Sequence, residues 1–550
     1  MSDLPSSAWS RRRFIEFMGR GGLAAAGLSL SGPLASCTSA LKKTGLLSDL
    51  PFSPMRPTSK DDFIVASAFD SHLIIRWKDQ INHNPDFFGI NCDYTAFIPF
   101  TPSNPNDGLL WVNHEYPSPL LINGKEPILG EKRDRAEVLR EMEACGGSIV
   151  RIKKNPQNGK WSYVQNDPYN KRITALTRIP FAATQTVLGH DHAIGMIGNC
   201  SGGITPWGTV LTCEENYGDF YLDREFNKGT AGKRFSENNL FGWHTVFNHP
   251  PEHYGWVVEI SPFSGKAKKI LSLGRFEHEG ATCVESSDKR TVVYMGDDAM
   301  DQCIYKFIAA RPGTLEDGTL YVANTETGKW LMLDYEKTPG FQKHFISQTD
   351  MLIQTRKAAQ LVGGTPQNRP EGIAIDPLTG AVYVSLTNNA KRKDYFGSIL
   401  KIVEKDNNPL SLEFTAHTFI AGGEKDGFAC PDNIAFDHLG NLWMTTDMSA
   451  SKMNKPGEYE PYKNNGLFFI PTRGTDAGKA FQVASGPIGS ELTGPSFSPD
   501  GRTLFLSVQH PGEGSKDINA LSSHWPDGGS SLPRSSVVGI NLPEELWRTS

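Results

Sequence analysis

One unit recurs six times along this chain: a turn of Gly, Pro or Asp, an apolar strand-forming run, then a cluster of polar, ligand-type residues. Asn106-Asp107-Gly108 leads into the run 109–112 and ends on Asn113-His114-Glu115. Pro206-Trp207-Gly208 leads through 209–212 to Cys213-Glu214-Glu215-Asn216, and 287–290 leads through 291–295 to Gly296-Asp297-Asp298. Leu378-Thr379-Gly380 precedes 381–385 and Asn388-Asn389. Residues 438–441 precede 442–444 and Thr445-Thr446-Asp447, and 499–502 precede 503–508 and Gln509-His510. The last three copies lie about 60 residues apart and the earlier ones roughly 80 to 100. A short β-unit repeated in this way marks radial repetition of small sheets. The sequence therefore predicts an all-β fold, a six-bladed β-propeller over 61–550, with long insertions in the first three blades. The one strong helical pattern is 131–145, where Ala136, Leu139 and Met142 recur three apart between charges, and it predicts a helix-bearing insertion.

The polar clusters carry the functional expectation, because equivalent strand ends of a propeller face its central channel. A second set of motifs lies just upstream of the runs: Glu277-His278-Glu279-Gly280, Arg369-Pro370-Glu371-Gly372, Cys430-Pro431-Asp432-Asn433 and Gly494-Pro495-Ser496. Three of them supply an acid in register: Glu279, Glu371 and Asp432. Acids gathered at one axis repel one another unless bound cations neutralise them. The candidate metal ligands are therefore Cys213, Glu214, Glu215, Glu279, Asp297, Asp298, Glu371 and Asp432. Oxygen donors in this number suit Ca²⁺, Mg²⁺ or Fe³⁺, whereas a thiolate from Cys213 calls for a transition metal. Arg369, two residues before Glu371, offers a planar donor for an oxyanion or phosphate. Ser201-Gly202-Gly203 lacks the lysine of a phosphate-binding loop, and no G-x-S-x-G nucleophile elbow is present. His190-Asp191-His192 reads as surface or structural.

A formal net charge of −6, with 21% charged residues, argues against nucleic acid as a partner, which would call for a basic excess. The leader reads as an address. Arg11-Arg12-Arg13 is followed by Phe14-Ile15 and a short Gly/Ala/Leu stretch, so 1–36 is expected to be a twin-arginine signal read by the Tat export machinery. Leu34-Ala35-Ser36-Cys37 resembles a lipobox, making Cys37 a possible lipid anchor, and 37–60 reads as a tether. The expected location is periplasmic, or on the outer membrane or cell surface as a lipoprotein. Seven further cysteines, an odd number, leave at least one unpaired or ligated in an oxidising compartment.

Taken together, these motifs resemble the PhoX alkaline phosphatases, which are exported by Tat and depend on calcium and iron. The most specific stretch runs from Asn199-Cys200-Ser201-Gly202-Gly203 through Thr205-Pro206-Trp207-Gly208 to Thr212-Cys213-Glu214-Glu215-Asn216. Support comes from Gly274–Glu279, Gly296-Asp297-Asp298, Arg369-Pro370-Glu371, Pro431-Asp432-Asn433 and 508–512. The resemblance implies Fe³⁺ and Ca²⁺ cofactors, with Cys213 an iron ligand, Glu279 and Glu371 carboxylate ligands, and Arg369 holding the phosphoryl oxygens. Arg369 and Glu371 are then the catalytic candidates, and small-molecule phosphomonoesters of broad structure are the substrates of a monomeric enzyme. Asn368 departs from the family, which often has an acid there. Two alternatives stay open at this point. Pro431-Asp432-Asn433 with 437–443 also resembles calcium-dependent lactonases and phosphotriesterases of the gluconolactonase kind. A non-catalytic calcium-binding surface lipoprotein is the other.

Overall fold

The computed structural model describes residues 50–548 other than 84–85, 102–103, 228–229 and 236–239. The expected signal segment 1–36, Cys37 and the expected tether as far as 49 lie outside the described residues. Six antiparallel sheets of four or five strands follow one another along the chain as the blades of a propeller. Their innermost strands are Cys92–Pro99, Asn199–Ile204, His278–Glu285, Pro370–Ile375, Pro431–Phe436 and Glu491–Phe497.

The six apolar runs of the sequence are the second strand of each blade, and the upstream motifs are the innermost strands themselves. Val382–Leu386 and Thr503–Gln509 are buried along their whole length, because neighbouring blades cover both faces. Their β-branched and aromatic residues suit such a pleated, enclosed position. The core accordingly sits between blades. Tyr294 and Trp330 of blade 3, for example, pack with Val384 and Ile402 of blade 4, each large side chain contributing about 1.5–3 kcal/mol on full burial. At the axis the inner strands nearly touch. A Cβ on Gly372 would stand 2.4 Å from the carbonyl oxygen of Asp432, and one on Gly494 would stand 2.6 Å from that of Asp93. Only glycine permits these approaches.

The ring closes through the N-terminal side of the described chain. Asp70–Arg76 pairs with Ser536–Asn541 as the outer strand of blade 6, and Ile64–Val65 pairs with Phe481–Ser485 on blade 5. The last part of the expected tether belongs to the same body. Phe52 stacks edge-on against Phe69 and Phe469, Met55 N donates to Gln482 O at 2.9 Å, and Asn464 Nδ2 donates to Lys60 O at 2.9 Å.

The expected insertion helix is present but shorter, Arg135–Ala144. Asp134 Oδ1 caps it by accepting from the amides of Ala136 and Glu137. Its buried face is Val138, Glu141 and Met142, not Ala136 and Leu139. The polar Glu141 is inside because Arg133, Trp243 and Asn123 all donate to it, at 2.5, 2.8 and 2.8 Å. A helix pair that the pattern did not predict, Gln348–Ile353 and Thr355–Val362, carries Arg356 toward the axial site.

Candidate metal centre and active site

Every innermost strand slips register against its neighbour near its start. The slips fall between Cys92 and Thr95, Asn199 and Gly202, Glu279 and Thr282, Pro370 and Ile373, Pro431 and Ile434, and Thr493 and Ser496. A bulge of this kind bends the strand and re-aims a side chain. The residue at the bend is Asp93, Cys200, Glu279, Glu371, Asp432 or Thr493, one from each blade. At the end of the paired second strand or just past it stand Glu115, Glu215, Asp298, Thr387, Asp447 and Gln509. Two stacked rings of equivalent positions thus surround the axis, and repetition of the blade makes both.

They open on a cavity of about 250 Å³ lined by ten carboxylates: Asp93, Glu115, Glu215, Glu279, Asp298, Glu371, Asp432, Asp447, Glu491 and Glu513. Cys200 and Arg369 share the wall. The Cys200 sulfur and carboxylate oxygens of Glu215 and Glu279 lie within 4.8 Å of one another. Burial, then mutual repulsion, pushes Asp93, Glu215, Glu279 and Glu491 well above the usual carboxylate range. Glu115 is pushed up to about 8 and Asp447 to about 6, again chiefly by burial. Asp298 goes down instead: burial opposes its charge, but its neighbours, the Arg369 guanidinium foremost, more than offset this. Asp298 Oδ1 and Asp432 Oδ2 are buried and accept no hydrogen bond among the described residues. Hard oxygens in excess, one thiol and orphaned buried oxygens together fit bound multivalent cations.

The raised carboxylates make a prediction with a definite sign. An acid whose folded pKa exceeds its unfolded value stabilises the fold at low pH and loses that contribution as pH rises through the folded value. After exhaustive chelation the protein should therefore melt about 5–10 °C lower at about pH 8.5 than at about pH 5.5. Excess Ca²⁺ should remove most of that difference, and thermal melts at the two pH values, with and without the ion, check both statements.

Of the expected site residues, Glu215, Glu279, Asp298, Glu371, Asp432 and Arg369 all line the cavity. Cys213, Glu214 and Asp297 do not. Cys213 is wholly buried in an apolar cluster with Leu211, Trp256, Val257 and Met295, and the thiol facing the carboxylates is Cys200. Glu214 forms a fully buried ion pair with Lys269 at 2.7 Å and accepts from the amides of Ile197 and Trp256. Losing one partner of such a pair costs about 3–5 kcal/mol, and the pair turns Glu214 away from the cavity. Asp297 is held by Arg356, Nε to Oδ2 at 2.8 Å, while Arg356 Nη2 also reaches Glu277 at 2.9 Å. Successive side chains of a strand point to opposite faces. In each acidic pair, Glu214-Glu215 and Asp297-Asp298, the second member faces the cavity and the first is neutralised by a basic residue behind it.

Sequence reasoning did not assign Asp93, Glu115, Cys200, Asp447 or Glu491 to the site. Glu115 and Asp447 close their strands as Glu215 and Asp298 do, and that spacing was the available signal. Around them the polar network is tight. Asn433 Nδ2 donates to Glu279 and Asp432 at 3.1 and 2.7 Å, Gln509 Nε2 donates to Glu115 at 2.6 Å, and the Thr493 hydroxyl donates to Asp93. Asn368 Nδ2 donates to Asp394 at 2.8 Å.

Arg369 sits at φ 54°, a left-handed conformation that costs a long side chain about 1–2 kcal/mol. Its Nη2 lies 2.7 Å from Asp298 Oδ2 and 2.6 Å from Glu371 Oε1, which fixes the guanidinium plane. Nη1 and Nε make no hydrogen bond among the described residues, and a quarter of the side chain is exposed. Those donors are free for an oxyanion.

The family model for alkaline phosphatase PhoX matches residues 50–512. PhoX of Pseudomonas fluorescens, solved in complex with vanadate, a transition-state analogue, is 29% identical. That likeness covers 90% of this chain and 98% of the other, with a TM-score of 0.78. The gluconolactonase XC5397 of Xanthomonas campestris is 11% identical, over 83% of this chain and 97% of its own, with a TM-score of 0.29. A protein of unknown function from Dyadobacter fermentans is 10% identical, over 86% and 99%, with a TM-score of 0.40. No curated protein matches. With the family model spanning most of the propeller and the axial carboxylates in place, the chain belongs to the alkaline phosphatase PhoX family and is a metal-dependent phosphomonoester hydrolase.

Proposed function

We propose that this chain releases inorganic phosphate from organic phosphomonoesters at alkaline pH, using ferric and calcium ions held in the axial cavity. The observation that carries this reading is the meeting of one thiol, ten carboxylates and one positioned arginine at the propeller axis. Cys200, Glu215 and Glu279 would hold the transition-metal ion, Fe³⁺, and the remaining carboxylates, which offer oxygen alone, Ca²⁺. Bound there, the ions supply Lewis-acid polarisation of the phosphoryl group and activation of the attacking oxygen.

The chain's own residues do the rest. Arg369 Nη1 and Nε would grip the phosphoryl oxygens and match the charge that builds on them in the transition state. Asp298 and Glu371 hold the guanidinium plane while this happens. Asn433, donating to both Glu279 and Asp432, keeps the acids of blades 3 and 5 from splaying. A thiol among the carboxylates favours this reading over the calcium-only lactonase. The twin arginine and the lipobox-like Cys37 support export through Tat, with the propeller working outside the cytoplasmic membrane.

Purified protein should contain both iron and calcium. Chelation should lower its turnover of an aryl phosphate by at least about a hundredfold, with recovery on adding the metals back. Full activity after complete metal removal would sink the reading, and calcium without iron would hand the site to the lactonase alternative.

A further inference from the structure

A second cavity, of about 500 Å³, opens beside the axial one and shares with it the walls made by Tyr116, Ser449, His510 and Glu513. Its character is different. Leu120 from the short helix Pro119–Asn123, Leu129 ahead of the insertion helix, and Leu240 with Phe241 from the blade 2 insertion converge on it. Leu129 is 61% exposed and Leu240 47%, apolar side chains left open beside the carboxylate-lined axial cavity.

The two spaces are joined by aromatic rings. Tyr116 stacks with Phe241 at 6.2 Å and 21°, and with His510 at 6.0 Å and 28°. The Tyr116 hydroxyl donates to Glu513 Oε1 at 3.1 Å, which holds the ring in place.

Geometry limits what can lie there. An ester whose phosphoryl group meets Arg369 must place its organic group in the space adjoining the axial cavity. We infer that this cleft receives the leaving alcohol, and that the preferred substrates are phosphomonoesters of apolar alcohols, alkyl or aryl, with Leu129, Leu240 and Phe241 as the specificity-determining residues. The inference rests on the phosphatase reading of the axial cavity and narrows its substrate class. The carboxylates Glu126 and Glu513, against the single Lys516, turn the same cleft against a second negative charge on the organic group.

Ethyl and hexyl phosphate test this cleanly, because the two alcohols leave with equal intrinsic ease and differ only in apolar length. The metal-loaded full chain should favour hexyl phosphate in kcat/KM by about tenfold or more. Leu129→Asp and Leu240→Asp, both at exposed positions that the fold tolerates, should bring that ratio close to unity. A ratio near unity in the unaltered enzyme, or one that neither variant moves, overturns the inference while leaving the phosphatase reading intact. Failure to turn over either ester would overturn the phosphatase reading and the inference with it.

Discussion

Glu371→Ala should remove at least about a thousandfold of kcat/KM from a protein that keeps its propeller. Glu371 is nearly wholly buried on the bulge of blade 4, with Oε1 2.6 Å from Arg369 Nη2. Three further carboxylates, Asp298, Asp432 and Asp447, bear on it, and burial together with these neighbours holds its carboxyl well above the usual range. Its removal takes away one anchor of the guanidinium plane and one donor to the cations, so the loss appears in kcat as well as KM. The fold responds in the opposite sense. Taking one acid from a cluster that repels itself should leave the melting temperature of the chelated protein unchanged or higher. Steady-state kinetics and apoprotein melts on the same preparation read both effects. Glu371→Gln, which keeps the shape without the charge, should be as inactive as the alanine variant. Retained turnover in either would remove Glu371 from the machinery.

How much of this site could be read from residues alone is decided by the blade repeat. Turn, apolar run and polar cluster are local in the chain, so six copies were legible, and with them the propeller and the cavity positions of Glu215, Glu279, Asp298, Glu371, Asp432 and Arg369. What was not legible depends on partners far away in sequence. Glu214 and Asp297 look like ligands as much as their neighbours do until Lys269 and Arg356 arrive from other elements to neutralise them. Asp93 has no motif around it, because the bulge that turns it inward is a property of the paired strands and not of the residues flanking it. The closing strand Asp70–Arg76 is invisible for the same reason: its partner, Ser536–Asn541, lies at the other end of the described chain. The insertion helix was found, but its buried face turned on Glu141, a residue that periodicity counts as polar and that Arg133 and Trp243 bring inside.

The two cysteines of blade 2 give the sharpest separation between motif and geometry. Cys200 lies on the innermost strand at the bulge, its sulfur within 4.8 Å of carboxylate oxygens of Glu215 and Glu279. Cys213 lies one strand out, wholly buried among apolar side chains. Burial first, then the carboxylates nearby, holds both thiols well above the ordinary value for cysteine. Only a thiol in contact with a cation gains back the cost of losing its proton there. Cys200→Ser should therefore abolish iron binding, together with the thiolate-to-iron charge-transfer absorption, and should lower phosphatase activity by at least about a hundredfold. Cys213→Ala should leave iron content and activity within about twofold while costing about 1–2 kcal/mol of stability, as removal of a small buried group does. All seven cysteines of the described chain are free, so neither change disturbs a disulfide. The reverse result, iron lost with Cys213 and kept without Cys200, would mean that the second strand and not the first carries the metal. The axial assignment of every residue at the six bulges would then have to be given up, since Cys200 reaches the cavity by the same register slip as Asp93, Glu371 and Asp432.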